Sequence, residues 1–375
     1  MDGSRWREVA ERYRADIESG RLEPGDRLPT DVALAELNGI SRATAHRALA
    51  ELQRWGLVVR QRRVGTLVAS RESTRTGRVA LVLDQIVPER DFPRHDLVGG
   101  LHAGLGEDHS LLWCDSKLDV DREIDFLQRM ATEADGIICW PTGDPRTTPV
   151  LRELVEKRVP IVLLDRIPEG LEIDAVTNDS VDATRHALEF LFSRGHERIG
   201  FFGFNKPHVS TVVERIAAFR AVYAERGLST EGLMRLIPAE LEFSDDELLI
   251  QAVHDAFFTL RHGSQPITAA FCVQDMLGMA VQRSADALGV RVPDDLEIAT
   301  YNDWPAMMLP RPWQAHRIVT GANKIGLAAA ERLNQLMLRL PNSGPEVLRI
   351  PAEFIIAQAG LLPDPHRSVG QFIKG

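Results

Sequence analysis

Cysteine is scarce in this chain of 375 residues, which contains only Cys114, Cys139 and Cys272. The three are odd in number, far apart and set in apolar runs, which indicates reduced core thiols and not a disulfide framework. The eleven histidines show no close pairing of the kind that metal ligands need. We therefore expect no structural metal and no cofactor.

Long apolar runs are also missing, so no segment is suited to span a bilayer. The N-terminus is polar with a helical pattern and does not resemble a secretion signal, and we expect a cytoplasmic protein without membrane contact. Neither a Gly-x-Ser-x-Gly elbow nor a phosphate-cradling P-loop is present. At 375 residues the chain is long enough for two or three folding units, and its hydrophobic fraction of 44% supports large cores.

The net charge of −10 argues against nucleic-acid binding when it is taken over the whole chain, but the charge is unevenly distributed along the sequence. Residues 1–70 contain 12 arginines against 10 acidic residues, and the balance reaches +4 by residue 78, which leaves −14 for the remainder. Every basic residue of this head is arginine, the side chain best suited to bidentate phosphate and guanine contacts. A mildly basic head on an acidic body is typical of a DNA reader whose body is kept away from the phosphates.

Residues 41–54 have the pattern of a recognition helix. Ser41 is a good N-cap, and one apolar stripe recurs at helical spacing: Ala45, Ala48, Leu49 and Leu52. The opposite face is then free and carries Arg42, Ala43, Thr44, His46 and Arg47. Such a face is often only solvated, but its donors also suit a DNA groove.

The flanking segments complete a helix-turn-helix with a wing. Thr30 or Asp31 can cap a preceding helix that buries Ala33, Leu34 and Leu37, and Asn38-Gly39 turns the chain. A first helix over residues 5–19 completes the core. Residues 57–60 and 66–68 predict two strands whose connection carries Arg62 and Arg63, placed to reach phosphates or the minor groove.

These motifs closely resemble the winged-helix domain of the GntR family over roughly residues 13–68. The resemblance is carried by Pro24 to Thr30, Ser41-Arg42-Ala43-Thr44, Ala48-Leu49, and Gly56-Leu57-Val58 with Gly65-Thr66. Val32 and His46 stand where the family often has arginine, so an operator sequence is not carried over. The resemblance implies that the DNA-binding residues are Thr30, Arg42, Thr44, His46, Arg47, Arg62, Arg63 and Gly65.

After the polar stretch at residues 70–77, which we interpret as a linker, strand-like and helical patterns alternate. The predicted strands are residues 79–83, 136–140, 160–164, 198–202, 269–273 and 296–300. The predicted helices include residues 121–130, 181–192, 212–226, 245–260 and 276–288. This alternation predicts parallel sheets with helices on both faces, and about 300 residues suggest two of them.

Ligands bind beyond the carboxyl ends of such strands, and polar or aromatic residues follow the predicted strands here. They include Asp84, Gln85, Trp140, Asp165, Arg166, Asn205, Gln274, Asp275, Asn302, Asp303 and Trp304. Carboxylates and amides can hydrogen-bond paired hydroxyls, and indoles can stack on sugar rings. Each one taken alone could equally be a cap, a turn residue or a core residue.

The body also looks like the effector-binding domain of the LacI/GalR family over nearly all of residues 78–360. The motifs include VALVLDQ, VPIVLLDR, SRGHERIGFFG and DLEIATYND. The resemblance implies a periplasmic-binding-protein-like fold whose two subdomains close on a small ligand, with Asn178-Asp179 at the first crossover. Asn302, Gln274 and Thr320 depart from residues common in the family, so a sugar identity is not inherited and a non-sugar ligand stays open. The expected ligand-binding residues are Asp84, Trp140, Asp165, Arg166, Arg215, Gln274, Asn302 and Trp304.

The expected architecture is α/β: a winged helix-turn-helix domain (1–69), a linker (70–77), a two-subdomain effector domain with parallel sheets (78–365) and a tail (366–375). A GntR-like head on a LacI-like body resembles arabinose-responsive repressors. We expect a homodimer that binds a pseudo-palindromic DNA operator, with affinity controlled by a small effector, usually a sugar. The alternatives are a carbohydrate-active enzyme, for which Asp84, Asp165 and Asp303 would be the carboxylates, and a plain sugar-binding protein.

Overall fold

The chain divides into two compact units, Met1–Gly77 and Arg78–Gly375. The computed structural model describes residues 5–19, 21–23, 25–54, 57–61, 65–68, 76–86, 92–107, 109–242, 246–301, 303–304, 313–337 and 344–357. Most of the predicted linker and all of the predicted tail lie outside these residues, so both assignments stay predictions.

The first unit is a three-helix domain with a β-hairpin. Its elements are α1 (Arg5–Glu18), α2 (Asp31–Asn38), α3 (Arg42–Arg54), β1 (Val58–Gln61) and β2 (Gly65–Val68). The two strands pair antiparallel, with Val58 opposite Val68. Thr30 caps α2 by accepting from the Ala33 N–H, and Gly39 ends it in a left-handed conformation at φ 59°. The predicted helix-turn-helix and its hairpin are therefore confirmed.

The core of this unit follows the predicted stripe of α3. Ala45, Ala48, Leu49 and Leu52 are all fully buried. The prediction for α2 was wrong at Leu37, whose side chain is 71% exposed, because Ala35 takes the buried position beside Leu34. The short helix therefore buries a narrower stripe than its apolar residues suggest.

The second unit alternates strands and helices, numbered here along the chain. Its strands are β3 (Arg78–Leu83), β4 (Ser110–Asp115), β5 (Gly136–Trp140), β6 (Ile161–Leu164), β7 (Ala175–Asn178), β8 (Ile199–Phe204), β9 (Met234–Ile237), β10 (Ala269–Cys272), β11 (Glu297–Tyr301), β12 (His316–Val319), β13 (Val347–Ile350) and β14 (Glu353–Ile355). Its helices are α4 (Phe92–Leu105), α5 (Val120–Glu133), α6 (Thr148–Glu156), α7 (Ser180–Ser193), α8 (Ser210–Glu225), α9 (Asp246–Arg261), α10 (Asp275–Ala287) and α11 (Ala322–Met337).

The strands form two sheets, and each sheet is the centre of one lobe. Lobe 1 has the strand order β13-β7-β6-β5-β3-β4, and lobe 2 has the order β14-β12-β11-β10-β8-β9. All pairings are parallel except that of β14 with β12. The central strands read as nearly continuous apolar runs because helices cover both faces. The two predicted parallel sheets are confirmed.

The chain passes between the lobes three times, after β7, after β12 and after β13. The first passage is at Asn178-Asp179, as predicted, since α7 packs in the core of lobe 2. The second is at Thr320-Gly321, and α11 then covers the lobe 1 sheet. Sequence patterns identified six of the strands; β4, β7, β9, β12, β13 and β14 are shorter, more polar or on an edge.

The three cysteines are buried and unpaired, as predicted, and burial raises the pKa of each thiol. Within the described ranges no group of histidine, cysteine and acidic side chains could hold a metal ion. None of the described helices is long and apolar enough to cross a membrane.

Helices α4 and α11 pack so closely that their glycines meet backbone atoms. A Cβ on Gly100 would lie 2.0 Å from the Asn323 carbonyl oxygen, and one on Gly326 would lie 2.1 Å from the Leu97 carbonyl oxygen. The atoms that a Cβ would meet belong to the helix backbone, which cannot move aside as the flexible end of a side chain can. Both positions therefore require glycine. This contact fixes the helix that returns from lobe 2 onto the core of lobe 1.

We predict that Gly100→Ala lowers the free energy of unfolding of the second unit by about 3 kcal/mol, since the added methyl forces the two helices apart. Urea denaturation followed by circular dichroism measures this. Gly99→Ala is the matched control, because its Cβ would meet only the flexible end of Asn323 at 3.3 Å. Equal stability of the two variants would contradict the close packing.

Candidate functional site

The exposed face at the start of α3 is the candidate DNA-binding surface. Arg42, His46 and Arg47 are exposed on it, whereas the opposite stripe is buried. His46 Nδ1 lies 3.0 Å from Asp31 Oδ2 of α2, and the Arg47 guanidinium lies 4.6 Å above the Trp6 ring of α1. The other two helices therefore hold two of the candidate contact groups in place.

Of the five other predicted DNA-binding residues, two cap helices, two lie outside the described residues, and Gly65 lies in the hairpin. Thr44 is 9% exposed and its hydroxyl lies 2.7 Å from that of Ser41, so it is part of the helix cap and not of the free face. Thr30 caps α2. Arg62 and Arg63 lie outside the described residues. The helical pattern places Thr44 on the free face, but its N–H and its hydroxyl both contact the hydroxyl of the cap residue Ser41, which turns the side chain inward.

Gly65, at the start of β2, adopts a φ of +121° that favours glycine. A Cβ there would come within 2.9 Å of Arg27 Nε. Arg27 itself forms a bridge with Leu67. Gly65 thus allows the Arg27 side chain to lie against the hairpin.

A cavity of about 240 Å³ lies between the two lobes of the second unit. It is lined by the carboxyl ends of strands from both sheets and by the start of α8, where open parallel sheets bind ligands. Its polar and aromatic lining consists of Trp140, Asp165, Arg166, Asn178, Phe204, Lys206, Thr211, Arg215, Glu242, Gln274, Asp275, Tyr301, Asp303, Trp304 and Thr320. A more open cavity of about 600 Å³ shares Lys206, Val209 and Glu242 with it.

Arg166 is anchored on the lobe 1 side of the cavity by a buried ion pair. Its Nη1 lies 2.8 Å from Oδ2 of Asp84, a residue without exposed surface, and donates to the carbonyls of Pro141 and Thr142. Asp84 does not line the cavity, contrary to its predicted contact with a ligand. The residue holds Arg166 in place instead, because a side chain at the buried end of a strand cannot also reach the cavity.

Arg215, on α8, is fixed on the lobe 2 side. Its guanidinium lies 3.8 Å from the centre of the Tyr301 ring, and its Nη1 donates to the Val273 carbonyl at 2.8 Å. Its Nε donates to the hydroxyl of Ser180 at 3.3 Å, just after the first passage between the lobes. The Tyr301 hydroxyl donates to the Ser180 carbonyl, so both residues connect the cavity to this passage.

Lys206 and Glu242 form an ion pair at the border of the two cavities. The Gln274 amide nitrogen donates to Glu242 Oε1 at 3.2 Å. Among the described residues nothing donates to the buried Gln274 Oε1, which leaves an acceptor for a ligand hydroxyl. Burial and the nearby Arg166 lower the pKa of Lys206 to about 8, so Lys206 remains largely charged at neutral pH.

Two carboxyl groups of the cavity have raised pKa values. Burial and the nearby Asp303 raise the pKa of Asp275 to about 6, although its hydrogen bond from Met276 N opposes the shift. Burial raises the pKa of Asp303, whose oxygens accept from the Thr320 N–H at 2.5 Å and its hydroxyl at 2.6 Å. Asp303 thereby anchors the second passage between the lobes.

Six of the eight predicted ligand residues line the cavity together: Trp140, Asp165, Arg166, Arg215, Gln274 and Trp304. Asp84 stands behind it, and Asn302 lies outside the described residues. Lys206 and Glu242 were missed. Lys206 follows a predicted strand directly after Asn205, but Glu242 follows β9, which had no clear strand pattern.

A ligand in this cavity would meet carboxylates, amide groups, two guanidinium groups and two indoles. This set can hydrogen-bond several hydroxyl groups and pack against an apolar ring face. Asp165 holds its backbone in the left-handed region at φ 61°, a conformation that is strained for a residue with a side chain and that recurs at binding sites.

Comparison with protein families matches the two units to different models. Residues 6–68 match the model of bacterial regulatory proteins of the gntR family, and residues 188–358 match the periplasmic binding protein-like domain. Both resemblances found in the sequence are thereby confirmed.

Among curated proteins, the arabinose metabolism transcriptional repressor of Geobacillus stearothermophilus is 25% identical over 332 residues, covering 86% of this chain and 88% of the relative. The transcriptional regulator KdgR of Bacillus subtilis is 23% identical over 252 residues, covering 67% of this chain and 71% of the relative. Two solved regulators share the fold. The CelR–cellobiose complex has a TM-score of 0.65 at 20% identity over 89% of this chain and 100% of its own. CcpA of Lactococcus lactis has a TM-score of 0.63 at 20% identity over 76% of this chain and 98% of its own.

We predict that Asp84→Ala lowers the free energy of unfolding by about 3 kcal/mol, because it leaves the Arg166 guanidinium buried without its main partner. Urea denaturation of the effector unit measures the loss. The double variant Asp84→Ala/Arg166→Met, which removes both charges, should recover more than half of it. Additive losses in the double variant would mean that the two groups do not act as a pair.

Proposed function

The chain joins a gntR-type helix-turn-helix domain to a periplasmic-binding-protein-like domain, and from this we propose an effector-controlled transcriptional repressor. The observation that supports it best is the presence, in one chain, of an arginine-bearing helix-turn-helix and a two-lobed cavity. We assign residues 1–69 to DNA binding, 70–77 to the linker and 78–365 to effector binding and dimerisation.

We propose a sugar as the effector. Paired acceptors such as Asp275 and Gln274, donors such as Arg166, and the Trp304 ring suit a hydroxyl-rich ligand with apolar ring faces. The relatives include a repressor named for arabinose metabolism and a structure with cellobiose, which supports the same class.

Regulation is favoured over the other candidate functions. The relatives are transcriptional regulators, and ligand binding without catalysis accounts for a cavity of this kind. Asp84, one of the three carboxylates considered for glycoside hydrolysis, is buried behind Arg166. A plain sugar-binding protein would have no use for the attached head. We place the protein in the cytoplasm, where its DNA partner is.

We propose that the protein acts as a homodimer on a pseudo-palindromic operator. Exposed apolar side chains lie at the corresponding edge strand of each lobe, Trp113 on β4 and Leu236 on β9. Leu248 and Phe258 on α9, in lobe 2, are also exposed, at 58% and 46%. We take these apolar side chains as candidate contacts with another chain.

Effector control requires only a modest difference in binding energy. A ligand that binds one lobe arrangement better by about 1.4 kcal/mol changes operator affinity tenfold. We propose that the bound sugar favours an arrangement in which the DNA is released.

Fluorescence anisotropy of a labelled duplex from upstream of the gene tests the function. The protein is titrated at two salt concentrations, with and without pools of pentoses, hexoses and disaccharides. We expect tight, salt-sensitive binding that one pool weakens about tenfold or more. Binding no tighter than to random DNA would reject the regulator, and indifference to every pool would reject the sugar effector.

In the same titration, Arg47→Ala provides the residue-level test. Loss of a base contact should weaken operator binding by about 1 to 3 kcal/mol and narrow the gap between operator and random DNA. Arg14→Ala on α1 removes the same charge from an exposed residue outside α3 and should leave that gap unchanged. Equal, sequence-independent losses in both variants would mean that α3 does not read bases.

We predict that effector affinity falls as the pH is lowered through about 6, the pKa of Asp275. The ionised carboxylate accepts ligand hydroxyls, and its raised pKa means that it is protonated below this pH and loses acceptor capacity. The apparent dissociation constant should therefore rise about tenfold between pH 7.5 and pH 5. Calorimetric titration at both values measures it. Asp275→Asn should bind more weakly and respond less to pH; an equally steep response would assign the effect to another group.

A further inference from the structure

On lobe 2, α8 and its N-cap residue Val209 contact lobe 1 through the cavity-lining Thr211, whose hydroxyl lies 3.4 Å from Asp165 Oδ2, and at three further points that we call the clasp. These are Val209 against Gly143, Ser210 with Ile167, and Glu214 with Arg349. We call the cavity of about 240 Å³ the inner cavity and the more open one of about 600 Å³ the outer cavity. Neither cavity is lined by Ile167, Ser210, Glu214 or Arg349, and Gly143 lines only the outer one. The clasp thus connects the lobes beside the inner cavity without forming its wall, apart from Val209.

The Gly143 contact is too tight for a side chain unless Val209 shifts. Gly143 follows β5 with a φ of +88°, and a Cβ there would lie 3.0 Å from Val209 Cγ2 of the other lobe. The loop that carries it is itself held, because the buried Glu123 accepts from the Thr142 N–H and from the Thr147 hydroxyl at 2.7 Å. The two lobes therefore meet here through a rigid loop and a glycine.

The Ser210 contact is a hydrogen bond between the lobes. Helix α8 begins without a side-chain cap, because its N-cap residue is Val209. The Ser210 hydroxyl, at the first position of the helix, accepts from the Ile167 N–H of lobe 1 at 2.9 Å. A backbone N–H of one lobe is thus satisfied by a side chain of the other, so this hydrogen bond joins the lobes directly.

The Glu214 contact is a two-point ion pair. Both guanidinium nitrogens of Arg349 donate to the Glu214 carboxylate, at 2.7 and 3.1 Å. Glu214 is 23% and Arg349 38% exposed, and the carboxylates of Glu214 and Asp179 raise the pKa of Arg349. The parallel geometry makes it stronger than a single-point surface pair.

We propose that the clasp sets the fraction of molecules whose lobes are closed, and through it the apparent affinity for every effector. The proposal rests on the proposed function, since it takes the inner cavity to hold the effector. Each contact joins the two lobes in the arrangement described here, so each stabilises this arrangement against those in which the lobes separate, and we take this arrangement as the closed one. An apparent dissociation constant is the intrinsic one divided by the closed fraction, so weakening the clasp reduces affinity by one factor for all ligands.

An equal change in the apparent dissociation constants of all ligands distinguishes a clasp residue from a residue of the cavity wall. A change in a wall residue such as Gln274 alters the contacts that one ligand makes, and so changes the ratio of affinities between two ligands. A change in Ser210 or Glu214 should preserve that ratio. We therefore class the clasp residues as positioning residues.

The first measurement needs no effector. Spin labels on Arg152→Cys and Arg220→Cys, two exposed positions on α6 and α8, report the distance between the lobes by pulsed electron resonance. The native cysteines are 0 to 4% exposed, so labelling is confined to the introduced ones. We expect a short-distance population in the otherwise unchanged protein, and a longer-distance one that grows in Ser210→Ala, Glu214→Gln and Gly143→Ala.

Gly170→Ala is the matched control for Gly143→Ala. Gly170 is also left-handed, at φ 68°, but nothing lies within 4 Å of its Cβ position, so it carries the backbone strain without the collision. For the ion pair, the control is the exchange Glu214→Arg/Arg349→Glu, which should restore the short distance that either single change loses.

Calorimetric titration with L-arabinose and with cellobiose then measures affinity. We expect a roughly two- to fivefold loss for Ser210→Ala and Glu214→Gln and about tenfold for Gly143→Ala, with an unchanged ratio between ligands. Distance distributions identical to the parent in all three variants would overturn the proposal, as would an altered ratio. If neither sugar binds the parent, neither is its effector, while the ligand-free distances still decide whether the clasp controls closure.

Discussion

The second unit depends on the contact between α4 and α11, where two helix backbones approach at Gly100 and Gly326. Helix α11 comes directly from lobe 2 and covers the lobe 1 sheet, so lobe 1 has no complete core until the chain has passed through lobe 2. The two lobes are therefore not independent domains in series. The same contact fixes one end of the second passage, whose other end Asp303 holds through Thr320. Within this passage, a change in the relative position of the lobes has to be accommodated by the few residues between these anchors.

The sequence predicted the fold well where physical signals are local. The stripe of Ala45, Ala48, Leu49 and Leu52 specified α3, and continuous apolar runs specified the central strands, because burial on both faces removes polar residues. The prediction failed at Leu37, because the eight-residue helix α2 has more apolar residues than its narrow buried stripe can hold. Edge strands such as β9 were missed because one open edge permits polar residues such as Arg235, and the periodicity is then lost.

The same reasoning located most of the cavity but misjudged individual roles. The rule that ligands bind beyond strand ends brought Trp140, Asp165, Arg166 and Gln274 together. It could not separate Asp84 from them, because a strand-end carboxylate that faces a ligand and one that holds an arginine have the same sequence context. Glu242 was not predicted because the strand that precedes it, β9, was not predicted. Pairing in three dimensions, as between Asp84 and Arg166, is the information that a single sequence does not contain.

The cavity's charges are arranged so that its groups are already oriented before a ligand arrives. Arg166 is held by Asp84, Arg215 by Tyr301 and the Val273 carbonyl, and Lys206 by Glu242. A ligand need not immobilise these side chains, which reduces the entropy cost of binding. Arg215 also follows Glu214 directly on α8, so adjacent residues of one helix face the cavity and hold the other lobe. A helix that carries both functions transmits the presence of a ligand to lobe closure without any intermediate element.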